Sequence, residues 1–566
     1  MDKSSVSHNL TRHFNSRLIA LLCGLIIGVF FVGFWNVLPW NDAWLSGKGD
    51  LSADHLMWQF FRQTPHVQWP LSAMPNYVAG ADTIFPTGNV IAPIFAKVIG
   101  LIVPRNFQYL GILIIMWFAL QAYFAERLLS RFVANGAYKV IGSIFFVLSP
   151  AFVYRISPMG HVHVAAHWLI LAAMYLYFDD SVRIRAWSVL MVLTVATNLY
   201  MSVVVVVIFI AAVVKELINK FREARFRNIN ALIIRCVIIG VLAMATFIAS
   251  GYLTYSDPGG GTGFFRLNLF AFFNPGYSPT ESFSQLVNTF VPNSNQMLFA
   301  EEWEGFQYIG LGVFLLLPVL WIFIWRRRGN IRSSSWWSIL VASTILFLFA
   351  LSNKVTFLHF EIIYWWPDLL LRLHQTFRGA SRFGFALYYL ITLASIVSFS
   401  KVFSKKKATM ILGVLLAVTV VDQFSGLRQS HQDLSVVVPF DSVLKNAQWD
   451  EIAISHSKLV IDTNFDFQVD GEIPQKARVF SDNWFSLAKF AVDHQMSTNF
   501  GYVARPIQAF VKSEDKRVAN ELTSGNLDRS TIYLISSESD WIRYKDLVGM
   551  RGQALMLDGF YIIIGQ

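Results

Sequence analysis

The chain is poor in charge and nearly without cysteine. Of its 566 residues only 14% are Asp, Glu, Lys or Arg, against 55% hydrophobic and 15% aromatic. A soluble protein of this length needs far more charge to cover its surface, so a water-soluble globular fold is excluded. The two cysteines, Cys23 and Cys236, both lie inside apolar runs, which leaves no exported disulfide and no cysteine metal motif. No H-E-x-x-H pattern is present, and the C-terminal tail has neither a Gly-rich phosphate loop nor a G-x-S-x-G elbow. No internal repeat is evident and the charges sit mainly at the ends of apolar runs, which argues against a transporter.

What the chain does have is long apolar runs. They lie near 18–36, 107–126, 137–154, 164–178, 186–199, 201–216, 231–252, 307–325, 335–353, 383–400 and 408–424. With a mean hydropathy of +0.47, they predict a polytopic α-helical membrane protein of about 11 transmembrane helices. Lys3, Arg12 and Arg17 precede the first run, whose length and lack of a small-x-small site make it an uncleaved helix. The net charge of +10 sits in short clusters between runs, the pattern of cytoplasmic loops and not of nucleic-acid binding.

One block, 90–103, is about fourteen residues long with Pro93 near its start and Lys97 in its middle. That is too short to span and suits an interfacial helix. If it does not span, every basic cluster falls on one side: the N-terminus, Arg127/Arg131/Lys139, Arg183/Arg185, Lys215 to Arg227, Arg326-Arg327-Arg328 and Lys405-Lys406-Lys407. The excess of Lys and Arg on cytoplasmic loops selects that arrangement. The N-terminus is then cytoplasmic, and the loops 37–106, 155–163, 253–305 and 354–382 face outward. Trp35, Trp40, Trp44, Trp365 and Trp366 fall at outer ends, as interfacial aromatics do.

From about residue 425 the composition becomes that of a soluble protein. Strands are expected at 458–462, 531–535, 554–557 and 560–564, with helices at 483–495, 508–522 and 537–547. The division is thus 1–424, transmembrane, and 425–566, an extracytoplasmic α/β domain.

Four constellations carry possible chemistry. Asp50 and Asp54, with His55 beside them, follow the first span. Four residues apart on a helix, the acids share one face, where they could hold a divalent cation such as Mg or Mn, or serve as general base. The plain alternative is solvated loop charge. His161, His163 and His167 enter a helix, with His163 and His167 spaced to share a face. They suit hydrogen bonds to a polar substrate, zinc ligation, or packing between helices. Arg378 and Arg382 flank small residues on the outward side, where a forked pair can hold phosphate and where snorkelling to a cytoplasmic surface is not available. Glu304 beside Trp303 offers a carboxylate and an aromatic face to a sugar, although an interfacial belt accounts for Trp303 equally well.

Together, Gly49-Asp50, residues 58–62, Phe107-Gln108-Tyr109, 160–168, 304–312, 377–383, Asn499-Phe500-Gly501 and Ala504-Arg505 resemble, nearly end to end, a family of bacterial polytopic membrane proteins labelled as a domain of unknown function. More broadly the chain resembles the C-type glycosyltransferase superfamily. The resemblance implies a polyprenyl-phosphate-linked sugar donor and a glycan or lipid-linked acceptor on the outer face, in a hexosyltransferase type of reaction. Asp50, with Asp54, would orient or deprotonate the acceptor, and Arg378 or Arg382 would hold the donor phosphate. His55, His161, His163 and Glu304 would bind substrate. Two departures stand out: the adjacent Asp-Glu pair of some relatives is replaced by Asp50 and Asp54, and near residue 88 an expected acid is replaced by Gly88-Asn89, with Asp82 upstream. The rivals are a surface-polysaccharide polymerase or ligase and, less favoured, a transporter.

Overall fold

Apolar runs can satisfy their backbone inside a bilayer only as helices, and each of the eleven runs is helical over part of its length in the computed structural model. The structure describes residues 3–64, 68–78, 90–99, 103–104, 106–223, 229–254, 263–278, 281–290, 300–326, 335–463, 475–502 and 508–565. Asp82, Gly88, Asn89, Arg327, Arg328, Ala504 and Arg505 lie outside them.

Among the described residues, Asn15–Val32, Leu110–Leu129, Leu199–Arg222, Ile229–Ala249 and Ala380–Val402 are long and apolar enough to cross a membrane. Two further pairs, Gly136–Val147 with Pro150–Ile156 and Lys405–Asp422 with Phe424–Ser435, are bent by 48° and 61°. The chain is therefore a multi-pass helical membrane protein, with five candidate spans among the described residues, or seven if each bent pair is one. The expected eleven is not confirmed, because Trp168–Tyr177, Ile184–Thr197, Leu311–Arg326 and Trp337–Ala350 are apolar but shorter. Ten residues of helix rise only ~15 Å, half of a hydrocarbon core. The first bend has a local cause. Pro150 has no N–H to continue the preceding helix, and Ser149 caps the next one by accepting from Phe152 N at 3.4 Å.

The residues divide into two compact units. The first comprises Met1–Trp44, Asn106–Thr246 and Gly261–Val437. Its first helix packs closely on Leu110–Leu129 because Gly24 and Gly28 are small: a Cβ at Gly24 would lie 2.5 Å from the Phe118 carbonyl oxygen. Buried Glu126 is paired there with Lys139 at 2.8 Å and accepts from Ser16 Oγ at 2.7 Å. Between Trp337–Ala350 and Ala380–Val402 the chain forms an antiparallel hairpin of β1 (Lys354–Phe357) and β2 (Phe360–Ile363), then a helix, Asp368–Thr376.

The second unit comprises Leu45–Arg105, Phe247–Gly260 and Val438–Gln566, so it cuts across the linear division at residue 424. Its sheet contains β3 (Lys458–Ile461), β4 (Ser497–Thr498), β5 (Thr531–Ile535), β6 (Gly552–Leu557) and β7 (Phe560–Gly565), in the order β4-β3-β5-β7-β6. β3 runs parallel to β4 and β5, and β7 is antiparallel to both β5 and β6. All five residues of β5 are buried, as the continuous apolar run of a central strand requires. Helices Gln508–Ser524 and Glu538–Val548 close one core with Val460, Val518, Tyr533, Val548 and Ile563.

The helix Asp50–Gln63 belongs to this unit and is buried from Leu51 through Phe61. Its buried residues include the polar Asp54, His55 and Gln59 as well as apolar ones, so protein covers it on all sides. Gln63 Nε2 donates to Val492 O at 2.6 Å, Asn76 Nδ2 to Phe60 O at 3.2 Å, and Thr498 N to Asn76 O at 3.2 Å. The loop after the first span is thus built into the C-terminal unit. Gly501 is essential to that fit, since a Cβ there would lie 2.4 Å from the Tyr77 ring and hydroxyl. Gly501→Ala is expected to cost about 1–3 kcal/mol by overpacking, read as faster hydrogen exchange in 50–63 and 497–502; unchanged exchange would refute the close fit.

The helix Ile91–Ile99 has nine residues, too few to span. Lys97 is drawn to the protein, donating to Phe61 O at 2.9 Å and to Thr64 Oγ1. Burial lowers its pKa to about 8. Of the expected interfacial tryptophans, Trp35, Trp40 and Trp365 are exposed, but Trp44 and Trp366 are buried and serve packing.

Candidate functional site

A cluster of charged side chains in the first unit is built by three short elements. The helix Pro150–Ile156 presents Arg155 in its last turn, the turn Ala300–Gly305 presents Glu304, and the turn Ala380–Gly384 presents Arg382. Arg155 Nη1 donates to Glu304 Oε2 at 2.9 Å, and its Nη2 donates to the Glu304 carbonyl. Arg382 donates from Nε to Glu304 Oε2 at 2.8 Å and from Nη2 to Oε1 at 2.7 Å. Ser381 Oγ bonds the Glu304 carbonyl as well, at 3.0 Å. Gly305 lets the turn pass, because a Cβ there would sit 2.7 Å from Arg266 O.

Arg155 is completely buried and Glu304 nearly so. Burial alone would raise the Glu304 carboxyl, but Arg382, Arg155 and His161 outweigh it and hold the pKa down at about 2. Two guanidiniums thus share one buried carboxylate. Arg155 Nε is buried without a hydrogen-bond partner among the described residues.

Around this triad, His161 Nδ1 lies 3.4 Å from Arg155 Nη1, and its ring faces Trp303 with centroids 6.4 Å apart. Arg382 lies over the Tyr200 ring at 4.3 Å, and the Tyr200 hydroxyl accepts from Gly379 N at 3.1 Å. Arg378 lies over Phe265 at 5.0 Å, and Phe265 meets Trp303 edge-on at 4.9 Å. The structure therefore brings together His161, Glu304, Arg378 and Arg382 of the residues expected from sequence. It adds Arg155, whose pairing could not be read locally because Glu304 is 149 residues away. The one signal was an arginine at the end of an apolar run, with no acid nearby to balance it.

Next to the triad, Glu302 accepts from Asn268 Nδ2 at 3.0 Å and from Thr356 Oγ1 at 2.5 Å. Arg266 Nε lies 3.5 Å from Glu302 and its Nη2 bonds Glu361 at 2.8 Å. A small cleft beside it is lined by Asn268, Asn274, Tyr277, Glu302, Trp303 and Phe306.

The histidines do not act as one ligand set. Helix Trp168–Tyr177 begins after them, so the expected common helix face of His163 and His167 does not exist. His167 Nδ1 bonds the Tyr389 hydroxyl at 2.7 Å, while His163 is buried in the preceding turn. Among the described residues no three His, Cys, Asp or Glu side chains are placed to hold a metal ion. Asp50 and Asp54 supply two carboxylates, and a cation there would need water and substrate oxygens to complete its shell.

Asp50, Asp54 and His55 lie in the second unit. Asp50 is half-exposed in the first helical turn, where it complements the helix dipole. Asp54 and His55 are buried one turn on. The charge of Asp54 acts on Tyr77, a buried phenol whose pKa is raised by burial and by Asp54 against the pull of the Tyr502 N–H, which donates to it at 3.0 Å.

The solved structures similar to this chain include two of an oligosaccharyltransferase from Archaeoglobus fulgidus. The apo form is 14% identical, with a TM-score of 0.37, and the alignment covers 92% of this chain and 69% of that one. The second, AglB in complex with an inhibitory peptide and a dolichol-phosphate, is 13% identical with a TM-score of 0.36 and the same coverage. No curated protein matches the sequence. A C-terminal domain description, DUF6311 C-terminal domain, matches residues 448–565. Residues 21–424 match the family described as Domain of unknown function (DUF6311), and the chain belongs to that family.

Proposed function

We propose that the chain is an integral membrane glycosyltransferase that takes a polyprenyl-phosphate-linked sugar and modifies a surface glycan or lipid-linked acceptor on the outer face of the bacterial cytoplasmic membrane. The observation that carries this is the buried Arg155–Glu304–Arg382 triad with its unpartnered Arg155 Nε, bordered by Arg378. Arginine forks of this kind hold phosphate by charge-assisted hydrogen bonds.

In this reaction an acceptor hydroxyl attacks the anomeric carbon with inversion. The new bond is carbon to acceptor oxygen, and the bond broken is carbon to phosphate oxygen. The hydroxyl proton passes to a carboxylate, assigned to Asp54 with Asp50 as the alternative, and the electron pair leaves with polyprenyl phosphate. The leaving group is already an anion, so arginine stabilisation matters more than general acid catalysis. His55, His161 and His163 are proposed to bind substrate.

Deleting the gene should remove a modification seen by mass spectrometry of surface glycans, and the wild-type gene should restore it. An unchanged glycan profile would defeat the proposal. With purified protein, Arg378→Ala is expected to raise the donor KM about 10–100-fold, the weight of a hydrogen bond to a charged group; an unchanged KM would remove Arg378 from the donor site. A polymerase or ligase using a lipid-linked substrate would also use the arginines but would not need Asp54.

A further inference from the structure

Residues 354–376 of the first unit bury the polar side chains of Thr356 and His374 and leave several large apolar side chains exposed. The β1–β2 register pairs Val355 with Ile362 and Phe357 with Phe360 on one face, and Lys354 with Ile363 and Thr356 with Glu361 on the other. On the second face Thr356 bonds Glu302 at 2.5 Å and Glu361 accepts from Arg266 at 2.8 Å, while Ile363 at its end is 62% exposed. On the opposite face Phe360 is 72% and Ile362 67% exposed.

The helix Asp368–Thr376 repeats the pattern. His374 is fully buried against the rings of Phe349 and Trp366, with centroids 5.3 Å and 5.7 Å away. Leu369 is 78% exposed and Leu373 45%. Trp365 and Trp366 split the same way, at 79% and 8%. Asp368 and Arg372 are also exposed and give the helix a polar rim.

Water does not tolerate this arrangement well, since an exposed apolar patch beyond a few hundred Å² marks a contact surface. Connectivity says what the contact is. The hairpin and helix link the apolar helix Trp337–Ala350, whose exposed Leu340, Val341, Ile345 and Leu348 make a surface fit for lipid, to the candidate span Ala380–Val402. The patch continues that lipid-facing surface. Its depth is limited by the backbone. The β1 edge is engaged by Leu269 N, which donates to Thr356 O at 2.9 Å, but the outer edge of β2 has no strand partner among the described residues. An open strand edge cannot enter the hydrocarbon centre.

We infer that the β1–β2 hairpin and the helix after it form a monotopic insert, seated ~5–10 Å into the headgroup–acyl boundary of the bilayer with lipid hydrocarbon covering Phe357, Phe360, Ile362, Trp365, Leu369 and Leu373. The insert anchors the adjoining turn that carries Arg378 and Arg382 at the level of lipid phosphates. It stands whether or not the chain transfers sugar.

The test uses the full chain in phosphatidylcholine nanodiscs, with Cys23→Ala and Cys236→Ala removing the native thiols. Spin labels go on Phe360→Cys, Ile362→Cys and Leu369→Cys, with Met550→Cys, 96% exposed in the C-terminal unit, as the aqueous control. At the three insert sites, collision with oxygen should exceed collision with a water-soluble nickel chelate several-fold, and the control should show the reverse. Greater access to the nickel chelate would place the face in water and overturn the inference. Protection from both reagents would mean that protein covers it, and would overturn it equally.

Discussion

Asp54→Asn is expected to lower the rate of sugar transfer by about 10²–10⁴-fold, the usual contribution of a positioned base, without unfolding the protein. The amide keeps the shape of the buried side chain while removing its ability to take a proton. Asp54 is singled out over Asp50 by environment. Asp50 is half-exposed at a helix N-terminus, a place where an acid is useful for stability alone. Asp54 is buried on the same helix, close enough for its charge to act on Tyr77, where a carboxylate costs desolvation even when partnered. Transfer from a polyprenyl-phosphate-linked sugar by purified protein in nanodiscs measures both variants. If Asp50→Asn is the inactive one, the base moves one turn along the helix. If both variants retain full activity, neither acid is the base and a polymerase or ligase becomes the better description.

Glu304→Gln should destabilise the first unit by about 3–5 kcal/mol, because it leaves Arg155 and Arg382 buried together without their counter-charge. Thermal unfolding in detergent reads the effect. Adding Arg382→Gln should recover part of the loss, and a double variant no better than additive would deny the coupling. The pH dependence has a definite sign. The Glu304 carboxyl is held at about 2 against an ordinary value near 4.5. A depressed carboxyl contributes stability above its ordinary value and loses it as pH falls towards the folded one, so wild type should lose about 3 kcal/mol between pH 4.5 and 2. Glu304→Gln should lack that component. Parallel acid profiles for the two proteins would show that the carboxylate is not held by its arginines.

Several site residues were legible for local reasons. Arg378 and Arg382 stood out as arginines on the outward side of the topology, and Glu304 as an acid beside Trp303 at the entry to a helix. Their actual relation was not legible. Arg382 grips Glu304 with both arms of its guanidinium, and the third member, Arg155, comes from a helix that the sequence shows only as the end of an apolar run. The histidine segment illustrates the opposite failure. Spacing suggested a shared helix face for His163 and His167, but the helix starts at Trp168 and each ring has separate surroundings.

The sequence by itself determined that the chain lives in a membrane, where its helices and tail strands lie, and which loops carry concentrated polar chemistry. Those properties come from runs of side chains along the backbone, each of which acts within a few residues. Only the tertiary structure decided that the loop after the first span folds with the C-terminal sheet, that five to seven helices among the described residues have the length and apolarity of a span, and that Arg155 closes the charge cluster. Such facts depend on burial and on partners far apart in the chain. A carboxylate's neighbours set its charge and its use, and for Glu304 those neighbours are brought together only by the packing of distant elements.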